Sequence, residues 1–143
     1  MICGCIDIGS NTTRLLVAEA GEGSLRELCT ERAFTRIGRA AGKDGEIPAA
    51  KIEETVEVVL RQARAARELG ATEVVAVATA AIRTAPNRDA LCAAIEEAIG
   101  QPLEVLTGSE EARLSFVGAA RTLATPATGT CLLYTSPSPR DRS

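Results

Sequence analysis

The chain has 143 residues, of which 45% are hydrophobic and 24% charged, and its net charge at pH 7 is −3. Aromatic residues make up only 2% and Trp is absent, which argues against binding of single-stranded nucleic acid through stacked bases. No His is present, so His-based acid–base catalysis and most zinc sites are excluded. We find neither a membrane-length apolar run nor a signal peptide, and therefore expect a cytoplasmic protein without a membrane partner.

Five Cys residues are present, an odd count that suits a reducing compartment. Cys3 and Cys5 resemble half of a metal site, but no second pair has ligand spacing. Because free Cys is usually buried, we expect both thiols to lie in the core beside small residues.

The first third of the chain indicates two successive hairpins. Residues 2–8 form a short apolar run that ends in turn formers, which predicts a strand, a tight turn and a second strand over residues 13–20. A turn at residues 21–24 leads into a third strand over residues 25–35. Residues 38–48 hold four Gly or Pro and indicate a loop.

Helices and strands alternate in the remainder of the chain. Helical spacing of apolar residues predicts a helix over 49–69, and Gly70 ends it. The continuous apolar run in residues 73–78 predicts a strand buried on both faces. Asn87 is placed to cap a helix that ends at Ile99, and a strand over 103–106 and a helix over 109–123 follow. This order predicts an α/β domain with a mixed sheet.

The last ten residues differ in composition from the rest. Residues 134–143 are rich in Ser, Pro and Arg without apolar periodicity, and we interpret them as a disordered or non-native tail. The predicted domain therefore covers residues 1–133.

The first predicted turn carries a candidate anion site. Asp7 precedes Gly9, which permits close approach of the backbone to a ligand, and Ser10, Asn11 and Thr12 supply short donors. Such a turn suits phosphate oxygens, and Asp7 suits Mg²⁺ held directly or through water. A plain hairpin turn is the structural alternative, since these residue types are the common turn formers.

A second candidate group lies where the last predicted helix begins. Thr107 at the N-cap and Glu110 three residues later form a capping box, which gives Glu110 a structural role. Glu111 is not needed for the cap and is placed to orient and deprotonate a water. Its alternative role is that of a first-turn acid that stabilises the helix dipole.

Arg83 follows the most apolar strand and is expected near the same sheet edge as the turn. It is a candidate phosphate clamp, and an exposed loop cation is the alternative. The sequence does not rank four further cations that are candidates for lining the site: Arg14, Arg32, Arg36 and Arg39.

Three segments in order resemble the amino-terminal domain of the exopolyphosphatase/guanosine pentaphosphate phosphohydrolase (Ppx/GppA) family. They are residues 6–17 (IDIGSNTTRLLV), 78–83 (ATAAIR) and 105–114 (VLTGSEEARL). The resemblance implies an RNase H-like fold of the actin, hexokinase and heat-shock ATPase superfamily.

The resemblance also implies removal of terminal phosphate from a phosphoanhydride chain with Mg²⁺. By position, Glu111 matches the family's catalytic glutamate and Arg83 its phosphate-contacting arginine. Residues 7–11 match its first phosphate loop. The implied substrate is inorganic polyphosphate or guanosine pentaphosphate, and a homodimeric parent protein is compatible with the resemblance.

One departure from the family pattern affects activity. The family carries a second, Gly-rich phosphate loop on the strand after this helix, whereas no Gly-Gly pair follows Gly108 here. We therefore expect this chain to be inactive by itself, although the parent enzyme would be active.

Three alternatives to a polyphosphate hydrolase remain. One is a guanosine pentaphosphate hydrolase, which these residues do not distinguish. Another is a regulator that binds guanosine penta- or tetraphosphate without turnover, a role that does not require Glu111. A sugar kinase ranks last, because its first loop normally carries Lys or Arg where Thr12 and Thr13 stand.

Overall fold

A five-stranded mixed sheet organises residues 1–110, the part of the chain that the computed structural model describes. In chain order the strands and helices are β1 (Ile2–Ile8), β2 (Thr13–Gly21), β3 (Ser24–Ala33), α1 (Ile37–Ala40), α2 (Ala49–Glu68), β4 (Glu73–Ala78), α3 (Ala80–Arg83), α4 (Arg88–Ile99) and β5 (Leu103–Val105). The predicted tail at 134–143 and most of the predicted helix at 109–123 lie outside the described residues.

The strand order across the sheet is β3-β2-β1-β4-β5. Strands β1, β2 and β3 pair antiparallel as two hairpins, whereas β4 runs parallel to both β1 and β5. Each parallel pair needs a crossover, and α2 and then α3 with α4 supply them. The predicted α/β class, with hairpins first and strand–helix alternation after, is confirmed, and the sheet has the expected RNase H-like arrangement.

The hydrophobic core lies between one face of the sheet and the long helices α2 and α4. Helix α2 buries residues three or four positions apart, namely Thr55, Val58, Val59, Gln62, Ala63 and Ala66, as an amphipathic helix requires. Gly4 of β1 brings this helix close, because a methyl group added there would lie 2.9 Å from Cβ of Ala66. Within residues 1–110, none of the helices combines the length and apolar character needed to cross a bilayer.

Two predictions about burial are wrong. Strand β4 is buried on alternate residues only, and Val75 is 38% exposed. Cys5, which pairs with Val75 in register, is also exposed rather than part of the core. The reason is that α2 and α4 pack on the same face, so alternate side chains of β1 and β4 point away from the core.

Two local predictions need smaller corrections. Residues 37–40 of the predicted loop form the short helix α1. Asn87 does precede α4, but its side chain makes no capping bond. Instead the Asn87 side chain accepts from the backbone N–H of Ile47 and donates to the carbonyl of Ile47, both at 2.9 Å. These two bonds connect the loop before α2 to the start of α4.

Candidate phosphate-binding site

The tight turn predicted after β1 is present and connects β1 to β2. The backbone N–H of Gly9 donates to the carbonyl of Thr12 at 2.9 Å. Beside it, the N–H of Thr79 at the end of β4 donates to the carbonyl of Ile8 at 3.2 Å. The carboxyl ends of two neighbouring parallel strands therefore meet at the turn, the position where α/β sheets commonly bind ligands.

Gly9 is required by close contacts within this turn. A methyl group added at Gly9 would lie 3.2 Å from the carbonyl oxygen of Thr12 and 3.8 Å from Oγ1 of Thr79. The first of these distances is tight and involves backbone, so a larger residue must distort the turn. Gly9 and its three successors, Ser10, Asn11 and Thr12, are half-buried.

A second segment, residues 35–38, packs directly on the turn. The N–H of Arg36 donates to the carbonyl of Asn11 at 3.0 Å, and the N–H of Gly38 donates to that of Ser10 at 2.9 Å. Arg36 adopts a left-handed conformation with φ 51°, and among residues 1–110 it is the non-Gly residue that does so. Sequence reasoning missed this segment, hereafter the strap, because no local pattern links it to the turn.

Behind the turn lies a buried polar group that the sequence analysis also missed. The hydroxyls of Thr13 and Thr35 share a hydrogen bond of 2.8 Å, and Nε2 of Gln62 donates to the carbonyl of Thr13 at 3.0 Å. All three side chains are at most 1% exposed. We refer to Thr13, Thr35 and Gln62 as the brace. A Gln on the apolar face of α2 was the available signal for it.

Asp7 lies on the sheet face that points away from α2. It stands in register between Arg14 of β2 and Val77 of β4, and its side chain is exposed. Cys5 lies two residues earlier on the same face. Partial desolvation at the sheet surface, and secondarily the charge of Asp7, raise the pKa of the Cys5 thiol.

Arg83 connects the end of β4 with the segment after β5. Its Nη1 donates to the carbonyl of Leu106 at 2.7 Å, while the N–H of Leu106 donates to the carbonyl of Ala78 at 2.9 Å. Arg83 is half-buried at the end of the short helix α3, and its role as a phosphate clamp stays a prediction. Of the further cations, Arg14 and Arg32 pair in register on β2 and β3.

The predicted capping box is confirmed. The N–H of Glu110 donates to Oγ1 of Thr107, and the N–H of Thr107 donates to Oε1 of Glu110, each at 3.2 Å. Residues 108–110 are helical. The candidate base, Glu111, lies outside the described residues, so its position stays a prediction.

Comparison with known proteins identifies close relatives of this domain. Exopolyphosphatase 1 of Mycobacterium leprae is 33% identical over 122 residues, which cover 85% of this chain and 36% of that protein. An uncharacterized Streptomyces coelicolor protein is 35% identical over 116 residues, covering 81% of this chain and 34% of its own length. The chain therefore spans about a third of the length of these curated relatives.

Solved structures also include relatives of this chain. The Aquifex aeolicus PPX-GPPA enzyme superposes with a TM-score of 0.80 at 31% identity, covering 89% of this chain and 42% of that one. The model of the Ppx/GppA phosphatase family, whose members are phosphohydrolases, matches residues 16–133. The chain belongs to the Ppx/GppA phosphatase family.

Proposed function

We propose that this chain supplies the amino-terminal half of a phosphate cleft in an exopolyphosphatase-type hydrolase, which removes the terminal phosphate of inorganic polyphosphate. The observation that carries the proposal is the turn at residues 9–12, which stands where β1 and β4 end side by side in a chain of this family. Backbone N–H groups, Ser10, Asn11 and Thr12 offer short donors to phosphate oxygens there. Arg83 adds a guanidinium that is held by the carbonyl of Leu106, on the side of β4 that faces β5.

We further propose that Mg²⁺ accompanies the substrate phosphates at the turn. Among residues 1–110, no group of three or more Cys or acidic side chains is arranged to hold a metal. Mg²⁺ commonly binds through one or two carboxylates together with substrate phosphates, and Asp7 is an exposed carboxylate one residue before the strand end. In our proposal Asp7 holds the ion directly or through water, and the ion offsets phosphate charge.

Glu111 is the proposed general base. The neighbouring Glu110 is committed to the capping box through both of its bonds with Thr107. Glu111 is the next residue in the sequence, and a capping box does not require it. A carboxylate within reach of a water that faces the terminal phosphate can orient that water and accept its proton.

The experiment compares two Glu→Gln variants in the full-length protein that carries this domain. Phosphate release from polyphosphate with Mg²⁺ is measured for Glu111→Gln and for Glu110→Gln. We expect Glu111→Gln to lower kcat by at least about a hundredfold. Glu110→Gln should keep most of its activity, because Gln also completes a capping box. Equal losses in both variants, or full activity of Glu111→Gln, would contradict the assignment.

The 143-residue chain alone should bind phosphate chains without hydrolysing them. The second Gly-rich loop that the resemblance implies does not occur after Gly108, so one half of the cleft would have to act alone. Incubation with polyphosphate and Mg²⁺ should release no phosphate above the buffer rate. Turnover that Glu111→Gln abolishes would show that this chain is a complete enzyme.

Guanosine pentaphosphate is the second candidate substrate, because the matching family comprises both Ppx and GppA proteins. The turn contacts only phosphate in this proposal, so it does not select between a polymer and a nucleotide. The ratio of kcat/KM for the two substrates, measured on the full-length protein, decides between them. Binding of the nucleotide without release of phosphate would favour a regulator instead.

A further inference from the structure

Two unusual structural features lie next to the turn: a left-handed non-Gly residue and a buried side-chain oxygen that accepts no hydrogen bond within residues 1–110. Arg36 holds a left-handed backbone, which costs energy for any residue with a side chain. Gln62 is fully buried, and its Oε1 accepts no hydrogen bond from the described residues. Such departures concentrate at functional sites, where the surrounding structure maintains them.

The strap fixes the direction of two peptide groups in the turn. It does so through the carbonyls of Ser10 and Asn11, which accept from Gly38 and Arg36 at 2.9 Å and 3.0 Å. In a trans peptide the C=O of one residue and the N–H of the next point in opposite directions. The N–H groups of Asn11 and Thr12 therefore point away from the strap.

The brace holds the strap and the turn in this relation. Thr35 stands one residue before Arg36, and its hydroxyl bonds to that of Thr13, the residue that follows the turn. Gln62 reaches the same residue from α2 by donating to its carbonyl. These buried hydrogen bonds thus join helix α2 and the strap to the start of β2.

From these contacts we infer that Gln62 and Thr35 are positioning residues, which aim the N–H groups of Asn11 and Thr12 at a bound phosphate. The inference rests on the proposed function, since it assigns these residues to the same site. Neither side chain touches the anion. They act by holding the turn in its binding conformation before the ligand arrives, which lowers the cost of binding.

The chain offers a matched control for the buried helix position. Thr55 lies on the same face of α2, seven residues before Gln62, and is equally buried. Its hydroxyl donates to the carbonyl of Lys51 in its own helix, at 2.8 Å, and not to the turn. Thr55→Val therefore removes a buried hydrogen bond from α2 without changing the brace.

The experiment uses the 143-residue chain with inorganic tripolyphosphate as the probe. Binding is followed by NMR through the amide signals of Asn11 and Thr12. We expect Gln62→Met and Thr35→Val to bind about tenfold more weakly than the wild type. Thr35→Ser, which retains the hydroxyl, and Thr55→Val should bind as the wild type does.

Amide hydrogen exchange in the ligand-free protein tests the positioning role by itself. The amides of Arg36 and Gly38 should exchange about tenfold faster in Gln62→Met and Thr35→Val, and at the wild-type rate in Thr55→Val. Two brace variants are used so that, if one of them fails to fold, the other still tests the positioning role. A melting temperature close to that of the wild type is expected for Gln62→Met, because Met also removes the unpaired buried oxygen.

The outcomes separate this inference from the proposed function. If the wild-type chain does not bind tripolyphosphate, the proposed anion site at the turn fails, and the exchange rates alone decide whether the brace holds the turn in place. If the wild type binds but both brace variants bind equally well with unchanged exchange rates, the brace inference is wrong. It is also wrong if Thr55→Val weakens binding as much as Gln62→Met does.

Discussion

Gly9 lies where the turn leaves little room for a side chain. A methyl group there would press on the carbonyl of Thr12 at 3.2 Å, which accepts the hydrogen bond that closes the turn. We expect Gly9→Ala to weaken tripolyphosphate binding by about tenfold, equivalent to roughly 1.4 kcal/mol. Isothermal titration with the 143-residue chain measures this change.

Gly21 provides the control for that substitution. It lies at the tip of the β2–β3 hairpin, where an added methyl group would lie 3.3 Å from the movable Oγ of Ser24. Gly21→Ala should leave tripolyphosphate affinity unchanged. A Gly9→Ala variant that binds as well as Gly21→Ala would show that the turn does not hold the anion.

The Cys5 thiol gives a chemical measure of the charge on Asp7. Its pKa is raised, first by desolvation and then by that carboxylate, so less thiolate is present at pH 8 than for an ordinary Cys. Alkylation of Cys5 by iodoacetamide should therefore be slow at pH 8 and accelerate as the pH rises above 9. Asp7→Asn should increase the rate at pH 8, as peptide mass spectrometry can quantify for Cys5.

A Cys5 rate that Asp7→Asn does not change would show that the two side chains are not electrostatically coupled. Cys5→Ser identifies the labelled peptide. Addition of Mg²⁺ to the wild type offers a second comparison, because a cation held at Asp7 should also accelerate labelling.

Single residues differ in how far the sequence reveals their role. The tight turn at Gly9 and the capping pair Thr107 and Glu110 were predicted correctly, because the hydrogen bonds that define them span only three residues. The brace was not predicted, since Gln62 bonds to a residue 49 positions away. A buried Gln on an apolar helix face shows that a partner exists and does not identify it.

At the scale of helices and strands, the contact between β1 and α2 depends on Gly4. Its missing side chain lets Ala66 approach, and an added methyl group would lie 2.9 Å from Cβ of Ala66. Gly4→Ala should therefore push α2 outward and destabilise the domain by about 1–3 kcal/mol. Urea unfolding followed by circular dichroism measures the loss.

Cys5→Ala is the matched change on the opposite face of the same strand. Cys5 is exposed there, so its truncation should alter the free energy of unfolding by less than about 0.5 kcal/mol. If Gly4→Ala unfolds at the same urea concentration as the wild type, the close approach of α2 to β1 is not needed for stability.

The identity of these elements was more predictable than their burial. Strand β4 was predicted with its observed bounds, because a run of small apolar residues between turn formers is distinctive. The prediction that β4 is buried on both faces was wrong, because four consecutive apolar residues do not show which faces of a sheet the helices cover. Helix α1 was missed because four residues carry no periodic signal.

At the scale of the whole molecule, phosphate binding should raise thermal stability. The turn, strap and brace join β1, β2, α2 and β4, so an anion bound there favours the folded domain over the unfolded chain. At a tripolyphosphate concentration of one hundred times Kd, the gain is about 2.7 kcal/mol. Differential scanning fluorimetry of the 143-residue chain should show a melting temperature several degrees higher.

Gly9→Ala should show a much smaller thermal shift at the same tripolyphosphate concentration. A sulfate series at matched ionic strength controls for general salt effects. If sulfate and tripolyphosphate stabilise the wild type and Gly9→Ala equally, the stabilisation does not come from the turn.

The parallel pairing of β1 with β4 also has a consequence for folding kinetics. Thr79 meets Ile8 across 71 positions of chain, whereas the β1–β2 hairpin that contains the turn closes locally. Pairings between distant residues form slowly, because loop-closure entropy is lost before the contact stabilises the chain. We therefore expect a newly made chain to form the β1–β2 hairpin early, and the strand ends beside the turn to come together only when β4 joins the sheet.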